Sequence, residues 1–217
     1  MSGTQGYEAS VSLIKKVFAQ HTPEKIGVSF NAGKDSVLVV ELLLNTVGRE
    51  VLEKCPIFFF VEKEAEFEEL TAFRREYMSL RLPGKKMLEF PAEDGLCAGL
   101  WRVKREIAID VVFMGTRQDD PNGKYQFSDL APTTEGWPPM LRACPLFYWT
   151  YSEVWKYTLH HHIPYCKLYD YGYTSIGSPS STRPNDSLLL PDGTYGQAWT
   201  LVEHDRERSG RFVAGGD

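Results

Sequence analysis

Ile26-Gly27-Val28-Ser29-Phe30-Asn31-Ala32-Gly33-Lys34-Asp35-Ser36 joins a short apolar run to a loop of small and polar residues. Residues 26–30 read as a strand, and the Val- and Leu-rich run 35–47, stopped by Gly48, reads as a helix. A loop between a strand and a helix start presents backbone N–H groups and the partial positive charge of the helix end, and Ala32 and Gly33 are small enough to admit an anion. Lys34 and Ser36 offer further donors. An ordinary capped turn would explain Gly33 and one of Asp35 or Ser36, but not Lys, Asp and Ser together. The spacing is not G-x-x-x-x-G-K-[ST], so the expected phosphate cradle is of another kind.

On either side of this loop the apolar spacing is regular. Val11, Ile14, Val17 and Phe18 recur at helical period until Thr22-Pro23 ends the pattern. Pro56 opens a second strand over 57–61, Phe67, Leu70, Phe73 and Tyr77 mark a helix face, and 87–90 forms a short third strand. Leu96, Leu100 and Val103 mark another helix, and 111–114 a fourth strand. Strands alternating with helices predict an α/β fold, an open and mostly parallel sheet with helices on both faces. After Gly115 the regularity thins into an irregular C-terminal extension. There Thr150-Tyr151-Ser152-Glu153 is a capping box opening a helix to about His161. Residues 165–199, rich in Gly, Pro, Ser, Asn and Tyr, are expected to be a binding surface or disordered, and 203–211 is a charged stretch.

The 217 residues favour one domain, divided functionally near Gly115 into a core of residues 1–115 and a second part of residues 116–217. With 24 basic against 29 acidic residues the net charge is −5, which disfavours a general nucleic-acid partner. No apolar run nears the roughly 20 residues of a membrane span and residues 1–7 lack leader character, so no membrane partner and a cytoplasmic location are expected. Cys55, Cys97, Cys144 and Cys166 lack C-x-x-C spacing and are expected as free, mostly buried thiols. His160-His161-His162 point in different directions on a helix end and read as surface. Trp149 and Trp155 read as core, while Trp137, before two prolines, is as consistent with an exposed platform as with a buried anchor. Arg74, Arg75, Arg102, Lys104 and Arg105 read as solvated helix faces. On charge alone, Arg206, Arg208 and Arg211, interleaved with Glu203, Asp205 and Glu207, read as a solvated helix too.

The loop at 29–36 resembles the S-x-G-G-K-D-S loop of the N-type ATP pyrophosphatase superfamily. Downstream stand Gly115-Thr116-Arg117-Gln118-Asp119-Asp120-Pro121, Trp137-Pro138-Pro139-Met140-Leu141-Arg142 and Trp149-Thr150-Tyr151-Ser152-Glu153-Val154-Trp155. They are followed by Pro164-Tyr165-Cys166-Lys167-Leu168-Tyr169-Asp170-Tyr171-Gly172-Tyr173-Thr174-Ser175-Ile176-Gly177. In this order the motifs resemble the eukaryotic FAD synthase (FMN adenylyltransferase) family. The resemblance covers roughly residues 30–211 and implies an adenine nucleotide α hydrolase-like, Rossmann-like fold and the conversion of FMN and ATP to FAD and pyrophosphate.

Carried over by residue, it implies ATP contacts from Ser29, Phe30, Asn31, Gly33, Lys34, Asp35, Ser36, Gly115 and Arg117. It implies action on the reacting phosphates by Asn31, Asp35, Asp120 and Arg211, with Arg208 the second choice in the tail. Flavin contacts are implied for Asp120, Trp137, Arg142 and Asp170. Mg²⁺ would ride mainly on substrate phosphates, with Asp120 or Asp35 as ligand, and client flavoproteins or a riboflavin kinase are implied partners. Two positions depart from the pattern: Ala32 replaces a usual Gly, and Thr134, three residues before Trp137, replaces a frequent Asp, with Glu135 the adjacent acid. Two alternatives stay open. One is a sulfonucleotide reductase or sulfurylase-like enzyme of the same superfamily, although the reductase needs a reactive C-terminal cysteine and the last here is Cys166. The other is a module that binds nucleotide or flavin without turnover.

Overall fold

Four strands lie where the apolar runs place them: β1 (Ile26–Ser29), β2 (Ile57–Val61), β3 (Leu88–Pro91) and β4 (Val111–Phe113). The computed structural model that shows them describes residues 3–121, 123 and 126–212. The helices are α1 (Gly3–Gln20), α2 (Lys34–Val47), a single turn α3 (Arg49–Leu52), α4 (Glu68–Arg81), α5 (Leu96–Ile107) and α6 (Tyr151–His160). Two further strands, β5 (Leu130–Pro132) and β6 (Leu141–Ala143), fall in the stretch that the sequence predicts to be irregular. Broken by Pro132 and Arg142, they lack the continuous apolar run that marks β4, so only their partners define them. The sheet order is β3-β2-β1-β4-β6-β5, parallel throughout except for β5, which runs antiparallel to β6 at the edge. Pro132 is tolerated there because an edge strand leaves one side of its backbone unpaired.

The two sides of the sheet are covered by different helices, as strand alternation dictates. Val111 and Phe113 share one core with residues of α1, α2, α4 and α6, while Val112 shares another with Phe58, Phe90, Met140 and the α5 residues Leu100 and Val103. Trp149 and Trp155 are core residues, as expected. The capping box of α6 forms as read: Thr150 Oγ1 accepts from Glu153 N–H at 3.3 Å and Glu153 Oε2 accepts from Thr150 N–H at 2.8 Å. The cysteines are free, three of them buried and Cys97 half-buried, and the three histidines are exposed. Among the described residues no helix is long and apolar enough to cross a membrane.

Residues 165–199, expected to be a binding surface or disordered, are not disordered, and with residues 200 and 201 they fold onto the core. They form short 3-10 turns anchored by buried Leu188, Ala198 and Leu201, and the Ala198 carbonyl accepts from Tyr151 Oη at 2.7 Å. The spacing of these anchors follows no regular period, so a periodicity argument passes over them. Residues 203–211 are likewise not a helix: a 3-10 turn at His204–Arg206 leads to a buried Glu207. The chain reverses its order across the sheet at β1, which has β2 on one side and β4 on the other. A crevice outside the carboxyl ends of β1 and β4 is where such a sheet holds ligands.

Candidate active site

The loop after β1 is shaped by its own side chains. Asn31 Oδ1 accepts from Gly33 N–H at 3.0 Å and from Ser36 Oγ at 2.8 Å, which folds the loop onto the first turn of α2. Between them Ala32 takes φ +65°, a left-handed conformation that costs alanine about 1–2 kcal/mol and that the usual Gly would adopt freely. Lys34 N–H donates to Tyr169 Oη at 2.9 Å. The N–H groups of Asp35 and Ser36 find no acceptor among the described residues, and they lie at the positive end of a 14-residue helix. Ser29 is half-buried, and Phe30 is wholly buried against Tyr77, so only its backbone can meet a ligand.

The second loop reaches the same place. A Cβ added to Gly115 would stand 2.9 Å from Asp35 Cβ and 3.1 Å from Ser36 N, so the loops after β1 and β4 touch, and only a glycine fits between them. Arg117, 1% exposed, aims Nε at Asp35 Oδ1, 3.2 Å away, and Nη2 at Asp120 Oδ1, 3.3 Å away. Asp120 Oδ2 accepts from Arg117 N–H at 2.8 Å. Lys34 Nζ donates to Asp35 Oδ2 at 2.8 Å, and both Lys34 and Arg117 pair with Glu207. Two cations and three carboxylates thus form one cluster, in which Lys34, Arg117 and Glu207 are buried and Asp35 and Asp120 half-buried.

Their protonation follows from their neighbours. Burial alone would raise the Asp35 carboxyl, but the charges of Lys34 and Arg117 outweigh it and hold it below its ordinary value. Burial dominates at Asp120, whose carboxyl is pushed up despite Arg117. Burial would also lower Lys34 and Arg117, yet Asp35 and Glu207 reverse this and hold both cations charged. Burial pushes the thiol of Cys55 up to about 12 and that of Cys144 to about 11, and raises Cys166 as well, so none of these is activated.

The cluster contains residues that the sequence reading did not choose. Glu207 was hidden in an alternating charge run, and Tyr169 among tyrosines. Arg74 corrects the expectation of a solvated face: it is 2% exposed, donates to Glu66 and, at 3.3 Å, to the Asn31 carbonyl, and lies 4.1 Å over the Phe59 ring. Its neighbour Arg75 is exposed, so helical phase alone separates them. Arg211 donates to the Ile176 carbonyl at 3.1 Å and lies against Gly177, where a Cβ would come within 2.2 Å of its guanidinium carbon. Arg208 is exposed.

Of the implied flavin contacts Asp120 lies in the cluster, whereas Arg142, Trp137 and Asp170 do not converge on it. Arg142, in the middle of β6, is in register with Val112 and so rises on the α5 side of the sheet, where its buried Nε has no partner among the described residues. Trp137, 39% exposed, sits in the β5–β6 connection, lining a groove with Thr134, Glu135, His21 and Asp110. His21 and Asp110 precede β1 and β4, so that groove opens at the amino edge of the sheet, opposite the cradle. Asp170 is half-buried and accepts from Tyr165 Oη at 3.3 Å.

Residues 99–184 match the phosphoadenosine phosphosulfate reductase domain family. The chain is 33% identical over 208 residues to a probable FAD synthase of Schizosaccharomyces pombe, covering 93% of this chain and 77% of that protein. It is 35% identical over 206 residues to a probable FAD synthase of Caenorhabditis elegans, covering 92% of this chain but 39% of that one. Candida glabrata FMN adenylyltransferase, solved in complex with FMN and the ATP analog AMPCPP, superposes with a TM-score of 0.85 at 23% identity, covering 97% of this chain and 88% of that one. At that identity the last likeness is one of fold.

Proposed function

The chain belongs to the FAD synthase family, and from that membership we propose that it joins FMN to the adenylyl group of ATP, releasing FAD and pyrophosphate. One observation carries the site assignment: the N-terminus of α2, with the Asp35 and Ser36 N–H groups unpaired among the described residues, abuts the loop after β4 at Gly115. In this reading the phosphates of ATP lie on that helix end. An oxygen of the FMN phosphate attacks the α-phosphorus, and the bond from the α-phosphorus to the bridging oxygen of the β-phosphate breaks. The nucleophile is already an anion, so no side chain has to activate it, and positioning and charge carry the catalysis.

Two unit charges 4 Å apart repel by about 4 kcal/mol at an effective dielectric near 20, and cations must offset that. Arg211 and Arg208, in the tail, are the cations we assign to that task. Mg²⁺ usually binds through substrate phosphates and one or two carboxylates. The site fits it only in that manner: both Asp120 oxygens are hydrogen-bonded by Arg117, whereas Asp35 Oδ1 faces Arg117 Nε 3.2 Å away and makes no hydrogen bond among the described residues. Asp35 would hold the ion, which when bound spreads the negative charge of the phosphates. We propose Asp120 as a flavin-side residue of the crevice, a cytoplasmic location, and a riboflavin kinase as the class of enzyme supplying FMN.

Incubating the purified chain with FMN, ATP and Mg²⁺ tests the proposal. FAD and pyrophosphate in equal amounts are expected; binding of both ligands with no FAD would instead identify a non-catalytic module.

A further inference from the structure

Glu207 joins parts of the chain that are far apart in sequence. Its Oε1 takes Lys34 Nζ, at the start of α2, and its Oε2 takes Arg117 Nη2, in the loop after β4, while its own side chain is 11% exposed. Its backbone is pinned separately: the Glu207 carbonyl accepts from Thr174 Oγ1 at 2.6 Å. Asn185 Nδ2 donates both to that threonine, at 2.9 Å, and to the Arg206 carbonyl, at 2.8 Å. Four residues on, Arg211 pairs through its backbone with Thr182.

The charge of the cluster decides what the two cations do. Lys34 and Arg117 face Asp35, Asp120 and Glu207, which leaves a net charge of −1. Such a group does not attract a polyphosphate. Lys34 is moreover 4% exposed, with its ammonium shared between two carboxylates. The cations therefore serve as fixed struts.

Resting on the FAD synthase reading, we propose that Glu207 is a positioning residue: its carboxylate bridges the two loops that hold the nucleotide, sets their spacing, and seats the C-terminal segment bearing Arg208 and Arg211 against them. Lys34 and Arg117 then act on the reaction through geometry rather than by gripping phosphate.

Glu207→Gln keeps the shape and removes the charge, and Glu207→Asp keeps the charge but is one C–C bond, about 1.5 Å, too short to span both cations. Both variants are expected to lose kcat by roughly 10- to 100-fold, with a smaller change in KM for ATP. Glu203→Gln, altering an exposed pair with Arg206, should match the parent. Cleavage by trypsin after Arg208 and Arg211 should accelerate in both Glu207 variants and slow again on adding ATP. A fully active Asp variant would show that charge alone matters and overturn the proposal. So would a Gln variant that binds ATP more tightly at unchanged kcat, because Glu207 would then be a competitor of phosphate. A lowered Tm with normal kcat and normal cleavage would reduce Glu207 to a structural residue and overturn it equally. A parent chain forming no FAD would strike the functional reading alone, since the cleavage comparison still reports on the bridge.

Discussion

Replacing Gly115 by alanine places a methyl carbon 2.9 Å from Asp35 Cβ, 3.0 Å from the Asp35 carbonyl carbon and 3.1 Å from Ser36 N. Ordinary van der Waals contact begins near 3.4 Å, so the closest pair must separate by about 0.5 Å. Two of the three obstructing atoms are backbone in the first turn of α2 and cannot rotate aside, so the loop after β4 has to retreat as a whole. Overpacking of this kind costs about 1–3 kcal/mol, and at roughly 2–4 °C per kcal/mol for a chain of this size Tm should fall by about 2–12 °C. A misplacement near 1 Å costs about a hundredfold in rate, so half that displacement should lower kcat by about tenfold. Initial rates of FAD formation, followed by chromatographic separation from FMN below the melting transition, give the second number. Gly27→Ala is the control. Its methyl would stand 2.5 Å from Ile109 Cδ1 and 3.0 Å from Phe58 in the core against α5, costing as much stability far from the crevice. A Gly115→Ala enzyme that melts lower yet turns over at the parental rate would refute the idea that contact between the two loops aligns the phosphates. So would a Gly27→Ala enzyme that loses as much turnover.

Asp35→Asn and Asp120→Asn should both reduce turnover but move stability differently. Asp35, held below its ordinary value of 3.8, contributes stability that is present above that pH and lost as pH falls through its lower folded value. Asp120 is raised above 3.8, so its favourable contribution is present below that pH and lost as pH rises through its folded value. Thermal melts at pH 7 should therefore show Asp35→Asn destabilised and Asp120→Asn unchanged or slightly stabilised; equal losses would refute the assignment of opposite environments. Ala32→Gly exchanges relief of about 1–2 kcal/mol of left-handed strain for about 0.4–1 kcal/mol of chain entropy and about 0.8 kcal/mol of buried methyl, and should leave stability within about 1 kcal/mol of the parent. Ala32→Val puts a β-branched residue at φ +65° in a fully buried position and should cost more than about 2 kcal/mol by denaturant titration; a neutral Val variant would show that the loop conformation is wrong.

The first half of the fold was legible because its helices are long enough to show a period and its strands are continuous apolar runs, and boundary signals help, as Gly48 does at the end of α2 and, later in the chain, the capping box does at the start of α6. β5 and β6 were not, since Pro132 and Arg142 break their apolar runs and only hydrogen bonds to partner strands define them. Arg74 and Arg75 show the same limit. Both are cationic and adjacent on one helix, but one is buried against Phe59 and Asn31 and the other is exposed.

By itself the order of residues determined the alternating α/β plan, the strand–loop–helix passage at 26–47, and, through motifs spaced along most of the chain, the family. Those properties are local or ordered along one dimension, and side-chain chemistry read in sequence suffices for them. Tertiary structure alone decided which charges neutralise one another. The pairing of Lys34 and Arg117 with Glu207 depends on a crevice formed only when β1 and β4 lie side by side and the C-terminal segment folds back across them. A charge is a strut or a clamp according to its neighbours within a few ångströms, and in a parallel sheet those neighbours come from distant parts of the chain.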